Sequence, residues 1–197
     1  MRRRIVAATA AVLASISLLA PGPGAVAAGD VWCATGDGNT LRFIGGWEGK
    51  EFSGVFRRFD VSLVFDPQHF DQTRLEVVVD VTSATSDNTL RDQALADPDW
   101  FHFEKFPEAR FFGQTVSARR DGRFQIGGML EIKGRRHPVT LDFNWEEAAD
   151  EARMRGGADL DRTWFSVGEG EWADSSVIAH GVRLEFDVGL TPCTLPK

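Results

Sequence analysis

The chain has 197 residues, of which 29 are acidic and 22 basic, giving a net charge of −7, and 43% of its residues are hydrophobic. This length and apolar content suit one globular domain with a core of its own. The acidic balance argues against a nucleic-acid-binding protein, because a negative surface repels the phosphate backbone. We therefore expect no nucleic-acid partner.

The first 27 residues show the three regions of a secretory signal peptide. Three arginines at 2–4 precede an apolar run over 5–20, and small residues follow at 25–27. Cleavage is predicted after Ala27, leaving residues 28–197 as one domain with 19 basic and 29 acidic residues. The apolar run is shorter than the ~20 residues of a membrane span, so no stable span is expected after cleavage. The predicted location is the periplasm or the extracellular space.

Apolar and polar residues alternate along most of the remaining chain, which is the period of a half-buried strand. The predicted strands cover 40–48, 51–65, 75–81, 109–119, 122–133, 138–147, 151–161 and 178–190. One short helix is predicted over 87–96, from a capping Asp87 and the spacing of Leu90, Ala94 and Leu95. About eight strands predict an all-β fold, a single antiparallel β-barrel whose interior holds packed side chains or one small ligand.

The two cysteines lie near opposite ends of the predicted mature chain. Cys33 precedes the first predicted strand and Cys193 follows the last one. A disulfide is the natural pairing in an oxidising compartment, and it would fasten the seam between the first and last strands of a closed barrel. Two free, buried thiols are the alternative. Neither cysteine belongs to a Cys-x-x-Cys pair, so redox catalysis and zinc binding have little support.

Residues 97–111 pack aromatic side chains at irregular spacing around Pro107. These aromatic residues are Trp100, Phe101, Phe103, Phe106 and Phe111. They follow neither the helical period nor the strand period, which predicts an aromatic plug that leads from the helix into a strand at Pro107. Trp100, Phe101 and Phe106 are expected to be largely buried at one end of the barrel.

This plug resembles the signature of the YceI-like family. Further stretches that resemble the family follow in order at 52–59, 83–92, 128–141 and 162–168, with a closing strand near Val182. The resemblance implies a lipocalin-like barrel with an elongated apolar tunnel that binds a polyisoprenoid lipid. The chain departs from the family pattern at Arg135 and Arg136, which replace more apolar residues, and over 31–38.

Apolar residues at the inward-facing positions of the predicted strands, together with the family resemblance, predict a ligand-binding interior. The predicted ligand-binding residues are Phe56, Leu63, Val77, Val79, Trp100, Phe101, Phe106, Leu130, Ile132, Leu141, Phe143, Leu184 and Phe186. Glycines in the inward rows, at Gly54, Gly113 and Gly128, are expected to leave room for a channel. The periodicity alone is equally consistent with a core that packed side chains fill completely.

No motif in the chain indicates catalysis. The four histidines, at 69, 102, 137 and 180, fall on different predicted elements, so no catalytic residue, metal site or cofactor is predicted.

The favoured function is an exported carrier of an isoprenoid lipid, such as a polyprenyl chain or a quinone tail. The alternative is an envelope or stress-related protein with a filled barrel that binds a partner through its surface. A membrane redox protein is one candidate partner, and a homodimer is left open. An enzyme or haem protein that uses the scattered histidines ranks last.

Overall fold

A computed structural model of the chain describes residues 31–148 and 150–194. Within them, the strands are β1 (Val31–Thr35), β2 (Thr40–Trp47), β3 (Lys50–Phe56), β4 (Phe59–Val64), β5 (Arg74–Asp80), β6 (Ala84–Thr85), β7 (Glu108–Ala118), β8 (Phe124–Ile132), β9 (Arg135–Ala148), β10 (Glu151–Asp161) and β11 (Gly181–Pro192). The α-helix is α1 (Thr89–Ala94), and 3-10 turns occur at Phe70–Gln72, Val81–Ser83, Arg162–Phe165 and Gly170–Trp172. The predicted signal peptide lies outside the described residues. No helix in the described part is long and apolar enough to cross a membrane.

The strands form one closed antiparallel barrel. Pairing runs in the order β1, β4, β5, β7, β8, β9, β10 and β11, and β11 returns to β1. The same edge of β11 pairs with β2, and β2 is followed by β3 and β6. The six short strands therefore act in pairs, β1 with β2, β3 with β4 and β5 with β6, and each pair takes the place of one bent strand in the barrel wall. With the five long strands β7 to β11, this makes a barrel of eight strand positions. This confirms the predicted fold class, with one helix and an aromatic segment leading into β7 just after Pro107.

The predicted helix cap is wrong, because Asn88 and not Asp87 caps α1, with its side-chain oxygen accepting from the Arg91 N–H (3.0 Å). Two predicted strand boundaries are also wrong. The expected strand over 51–65 is interrupted at Arg57 and Arg58, where the Arg58 N–H donates to Ser83 Oγ (3.0 Å) instead of continuing the ladder. Cys33 was expected before the first strand, but it lies within β1, which pairs with β4. Residues 31–34 are all apolar, so β1 shows no alternation by which it could be recognised.

The disulfide is confirmed. Cys33 and Cys193 are bonded, with their Cα atoms 5.8 Å apart. Cys193 comes directly after β11, and its N–H donates to the carbonyl oxygen of Val31 (2.8 Å). The bridge therefore joins the first and last strands at the seam where the barrel closes.

One end of the barrel interior is solid. Phe65 lies at the centre of an aromatic cluster there, with ring centroids 5.1 Å from Trp145, 5.3 Å from Phe124 and 5.6 Å from Phe143. Trp32 meets Trp145 edge to face at 5.7 Å. Such edge contacts between large rings fill space efficiently, so this cluster closes the barrel at the end where the disulfide lies.

Candidate functional site

The other half of the barrel interior contains a cavity of about 680 Å³ that opens to solvent. A second cavity of about 100 Å³ lies between it and the aromatic cluster. The two cavities share wall residues, namely Leu41, Val79, Ala109, Leu130 and Leu184. They therefore follow one another along the barrel axis, and their walls are predominantly apolar.

Most of the predicted ligand-binding residues lie on these walls. The larger cavity is lined by Phe56, Val79, Trp100, Phe101, Leu130, Ile132 and Leu184. The smaller cavity is lined by Val77, Val79, Leu130, Leu141, Leu184 and Phe186. Whether they bind a ligand stays a prediction at this point.

Three predicted residues do not line either cavity. Leu63 and Phe143, each 1% exposed, belong to the solid core. The ring of Phe106 lies over Gly134, outside both cavities. Alternation identifies the inward face of a strand, but it does not say how deep along the barrel a residue lies, which explains why Leu63 and Phe143 were misplaced.

The prediction that glycines open the channel is wrong. A Cβ added at Gly54 would lie 2.6 Å from the Thr85 carbonyl oxygen, and one at Gly113 or Gly128 would lie 2.8 or 2.6 Å from the Phe111 ring. None of the three glycines lines the larger or the smaller cavity. Neighbouring groups already occupy the space that the missing side chains leave, so these glycines permit close packing instead.

Helix α1 and the aromatic plug form the mouth of the larger cavity. Trp100 and Phe101 are half-buried there, less than predicted, because the cavity that they line is open to solvent. The plug is fastened to α1 by the Phe101 N–H, which donates to the Leu95 carbonyl oxygen (3.1 Å). Leu90 also borders the cavity, yet it is 79% exposed, which places α1 at the opening.

Arg162 is a functional candidate that the sequence did not reveal. It is 5% exposed and lines the cavity. Its guanidinium donates to five backbone carbonyl oxygens at 2.6–3.0 Å, those of Val167, Gly168, Trp172, Ile178 and Ala179. Burial lowers the pKa of Arg162, although Asp161 opposes this effect. The side chain therefore binds together the turns that form one wall of the cavity.

A family model of the YceI-like domain matches residues 35–190. The chain belongs to the YceI-like family. This confirms the resemblance that the plug and the ordered motifs indicate.

Two relatives are similar in sequence to part of this YceI-like chain. Protein YceI of Escherichia coli O6:H1 is 28% identical over 137 residues, which is 69% of this chain and 65% of that protein. A UPF0312 protein of Photorhabdus laumondii is 32% identical over 89 residues, 45% of this chain and 46% of that protein. The chain thus spans about half of one relative's length and just under two thirds of the other's.

Solved structures share the YceI-like barrel. BcnA of Burkholderia cenocepacia superposes with a TM-score of 0.75 at 24% identity, covering 78% of this chain and 97% of that one. A polyisoprenoid binding domain from Saccharophagus degradans, implicated in plant cell wall breakdown, gives 0.65 at 11% identity and covers 83% and 99%. These likenesses establish the fold.

The histidines of this YceI-like chain do not converge. His69 contacts Asp66 (2.8 Å), His180 contacts the Ala173 carbonyl oxygen (3.0 Å), and His137 stacks on Trp164 with ring centroids 3.9 Å apart. None of the four histidines lines the larger or the smaller cavity. Within residues 31–148 and 150–194, no three His, Cys, Asp or Glu side chains form a metal-binding group.

Asp92 holds the mouth of the YceI-like barrel in place. Its carboxylate accepts from Thr85 Oγ1 (2.9 Å), the Ser86 N–H (2.8 Å) and Ser86 Oγ (2.6 Å). Burial alone would raise the pKa of Asp92, but the hydrogen bonds from Ser86 and Thr85 outweigh it and lower the pKa below its ordinary value. The charged carboxylate thus ties α1 to the strand before it.

We expect Asp92→Ala to lower the free energy of unfolding by about 2 kcal/mol at pH 7, because charge-assisted hydrogen bonds are lost. The folded pKa lies below the unfolded value of about 3.9, so this contribution is complete above that pH and fades as the pH falls through the folded pKa. Urea denaturation at pH 7 and pH 3 measures the difference. Asp37→Ala, at an exposed turn, is the control and should change little. An equal loss of stability at both pH values would contradict the role of the charged form.

Proposed function

We propose that this protein is an exported, non-catalytic carrier that holds an isoprenoid lipid, such as a polyprenyl chain or a quinone tail, inside its barrel. The observation that carries the proposal is the apolar cavity of about 680 Å³, continued by the smaller cavity behind it. This volume lies within the range of small-molecule sites, roughly 300–1,000 Å³. The shared fold with a polyisoprenoid binding domain supports the proposal.

Apolar burial supplies enough free energy for such a carrier. A lipid chain that buries about 400 Å² gains roughly 10 kcal/mol at about 25 cal/mol per Å², before the costs of ordering are deducted. The proposed contacts are the predicted residues that line the two cavities, from Phe56, Trp100 and Phe101 near the mouth to Phe186 in the smaller cavity. Apolar walls discriminate poorly among chain lengths, so several related lipids should bind.

The proposed carrier acts in the periplasm or outside the cell. The basic, apolar and small-residue regions of the first 27 residues support export, with residues 28–197 as the mature protein. The Cys33–Cys193 disulfide is compatible with an oxidising compartment.

A second candidate function is binding of a partner through the outside of the barrel. Phe112 and Met129 face each other on β7 and β8, and they are 44% and 43% exposed. A membrane redox protein or a second copy of this chain would be the partner. The filled interior that this alternative assumed has no support, because the barrel contains the cavity described above.

The carrier proposal is tested by filling the cavity. Ala109 is 6% exposed and lies on the wall shared by both cavities. We expect Ala109→Leu to weaken lipid binding at least tenfold, because the added side chain blocks the passage. The stability should fall by less than about 1.5 kcal/mol, since the added volume enters empty space. Binding is measured by titration with geranylgeraniol, using the fluorescence of Trp47, Trp100 and Trp172 in the cavity wall.

The matched control is Ala118→Leu, an exposed position on the same strand β7. It should bind the lipid as the parent does. A parent protein that shows no saturable binding, or an Ala109→Leu protein that binds with unchanged affinity, would refute the proposal.

A further inference from the structure

A groove on the outside of the barrel is not used by the proposed carrier. It has a volume of about 550 Å³ and lies over β9, β10 and β11, with Trp164 in its wall. Its lining mixes charged and polar side chains with apolar ones, unlike the barrel cavity. The volume lies within the range of small-molecule sites, roughly 300–1,000 Å³. The groove therefore suits a ligand that is itself partly polar and partly apolar.

The groove forms where β9 and β10 part. Their ladder ends at the pair Asp142 and Gly157, although β10 stays paired with β11 as far as Asp161. β9 likewise stays paired with β8 to its first residue. Gly157 occupies the outward position between the exposed Arg155 and Asp159, and it has no side chain. The end of the ladder and the missing side chain together leave a depression in the barrel wall.

Trp164 gives the groove a flat apolar wall. It is 40% exposed and belongs to the 3-10 turn that follows β10. Its ring stacks on His137, with centroids 3.9 Å apart and 9° between the ring planes. It also meets the buried Phe165 edge to face at 6.4 Å. These contacts fix the ring before a ligand arrives, so little ordering is needed on binding.

The charges that line the groove balance each other. Each of its three arginines forms an ion pair with an acidic side chain of the protein. Three acidic residues also line it, so the lining has no net charge. The six charged residues are Arg123, Arg155, Arg183, Asp142, Asp159 and Glu185. Such a lining favours an uncharged ligand over a strongly anionic or cationic one.

Asn144 and Asp159 are the side chains of the groove that we expect to bind polar groups of a ligand. Both are exposed, and neither takes part in the ion pairs of the three arginines. Asn144 is opposite Arg155 in the ladder, and Asp159 comes four residues after Arg155, which is about 13 Å at ~3.3 Å per residue. An amide and a carboxylate at this separation can hydrogen bond to hydroxyl groups along an elongated ligand.

We propose that this groove binds a neutral oligosaccharide. A sugar ring presents an apolar face of C–H groups and a rim of hydroxyl groups, and it carries no charge. Its face stacks on Trp164, while its hydroxyl groups hydrogen bond to Asn144 and Asp159. The groove lies outside the barrel cavity, so this inference does not depend on the carrier function.

The test is calorimetric titration of the purified protein with neutral oligosaccharides, namely cellotetraose, maltotetraose and chitotetraose. The parent should bind at least one of them saturably. Tetragalacturonate has a carboxylate on every ring, and it should bind at least tenfold more weakly than the best neutral probe, because the arginines of the groove are already paired. A parent that binds none of the three neutral probes, or that prefers tetragalacturonate, would overturn the inference.

Two variants locate the binding site on the groove. Trp164→Ala should weaken binding of the best neutral probe about tenfold, and Asp159→Ala should weaken it severalfold. The controls are Phe112→Ala, at an aromatic residue that is 44% exposed, and Asp60→Ala, at an exposed carboxylate on β4. Both positions lie outside the groove, so these proteins should bind as the parent does. Urea denaturation shows that each variant is folded, and an unchanged affinity in Trp164→Ala or Asp159→Ala would contradict the proposed site.

Discussion

Replacing Cys33 and Cys193 together by alanine should lower the free energy of unfolding by up to about 5 kcal/mol, the largest effect that we expect from any change in this chain. The bond joins residues that are 160 positions apart, so it removes many conformations from the unfolded chain. It also fixes β1 against β11, where their ladder has only two residue pairs. Urea denaturation of the parent and the double variant measures the loss.

Reduction of the parent provides the control for this change. The reduced parent should unfold at the same urea concentration as the double alanine variant, because both lack only the covalent link. A double variant that unfolds at the midpoint of the oxidised parent would contradict a stabilising role for the disulfide at the barrel seam.

Replacing Arg162 by methionine should cost about 3–5 kcal/mol, the range for removing one partner from a buried polar network. Methionine fills a similar volume, but it leaves five carbonyl oxygens without their donors. Arg162→Lys should recover only part of the loss, because an ammonium group has three donors and a different geometry. Denaturation curves give the stability, and limited proteolysis should show new cleavage within 163–179.

The matched control for Arg162 is Arg155→Met on β10. The Arg155 side chain is 44% exposed and contacts Glu146 and Asp187, so its removal should cost less than about 1 kcal/mol. If Arg162→Met were as stable as this control, the turns at 162–179 would not depend on the buried guanidinium.

Strand positions could be predicted well because the barrel wall imposes a period of two on each strand. The bounds predicted for the strand at 151–161 agree with β10, and the inward residues Phe59, Val61 and Leu63 are buried on β4. The bend at Arg57 and Arg58 was missed, since its cause is a hydrogen bond to Ser83, a residue distant in sequence. The alternation of apolar and polar residues along a strand does not reveal a contact between residues that are distant in sequence.

The position of the cavity was harder to predict than the direction of the side chains. Leu63 and Val79 both face inward, but only Val79 reaches the cavity, because the aromatic cluster around Phe65 fills one end of the barrel. The role of Arg162 depends on turns that the sequence does not define, so its five acceptors could not be foreseen. The inward glycines were misjudged because the Phe43 and Phe111 rings pack over them.

The central claim is that the barrel cavity holds a lipid, and mass spectrometry of an organic extract from the purified protein tests it most directly. The extract of the parent should contain an isoprenoid or similar long-chain lipid at close to one molecule per protein. The extract of Ala109→Leu, purified in parallel, should contain much less, while Ala118→Leu should match the parent. An extract of the parent with no lipid above the level of Ala109→Leu would contradict the account.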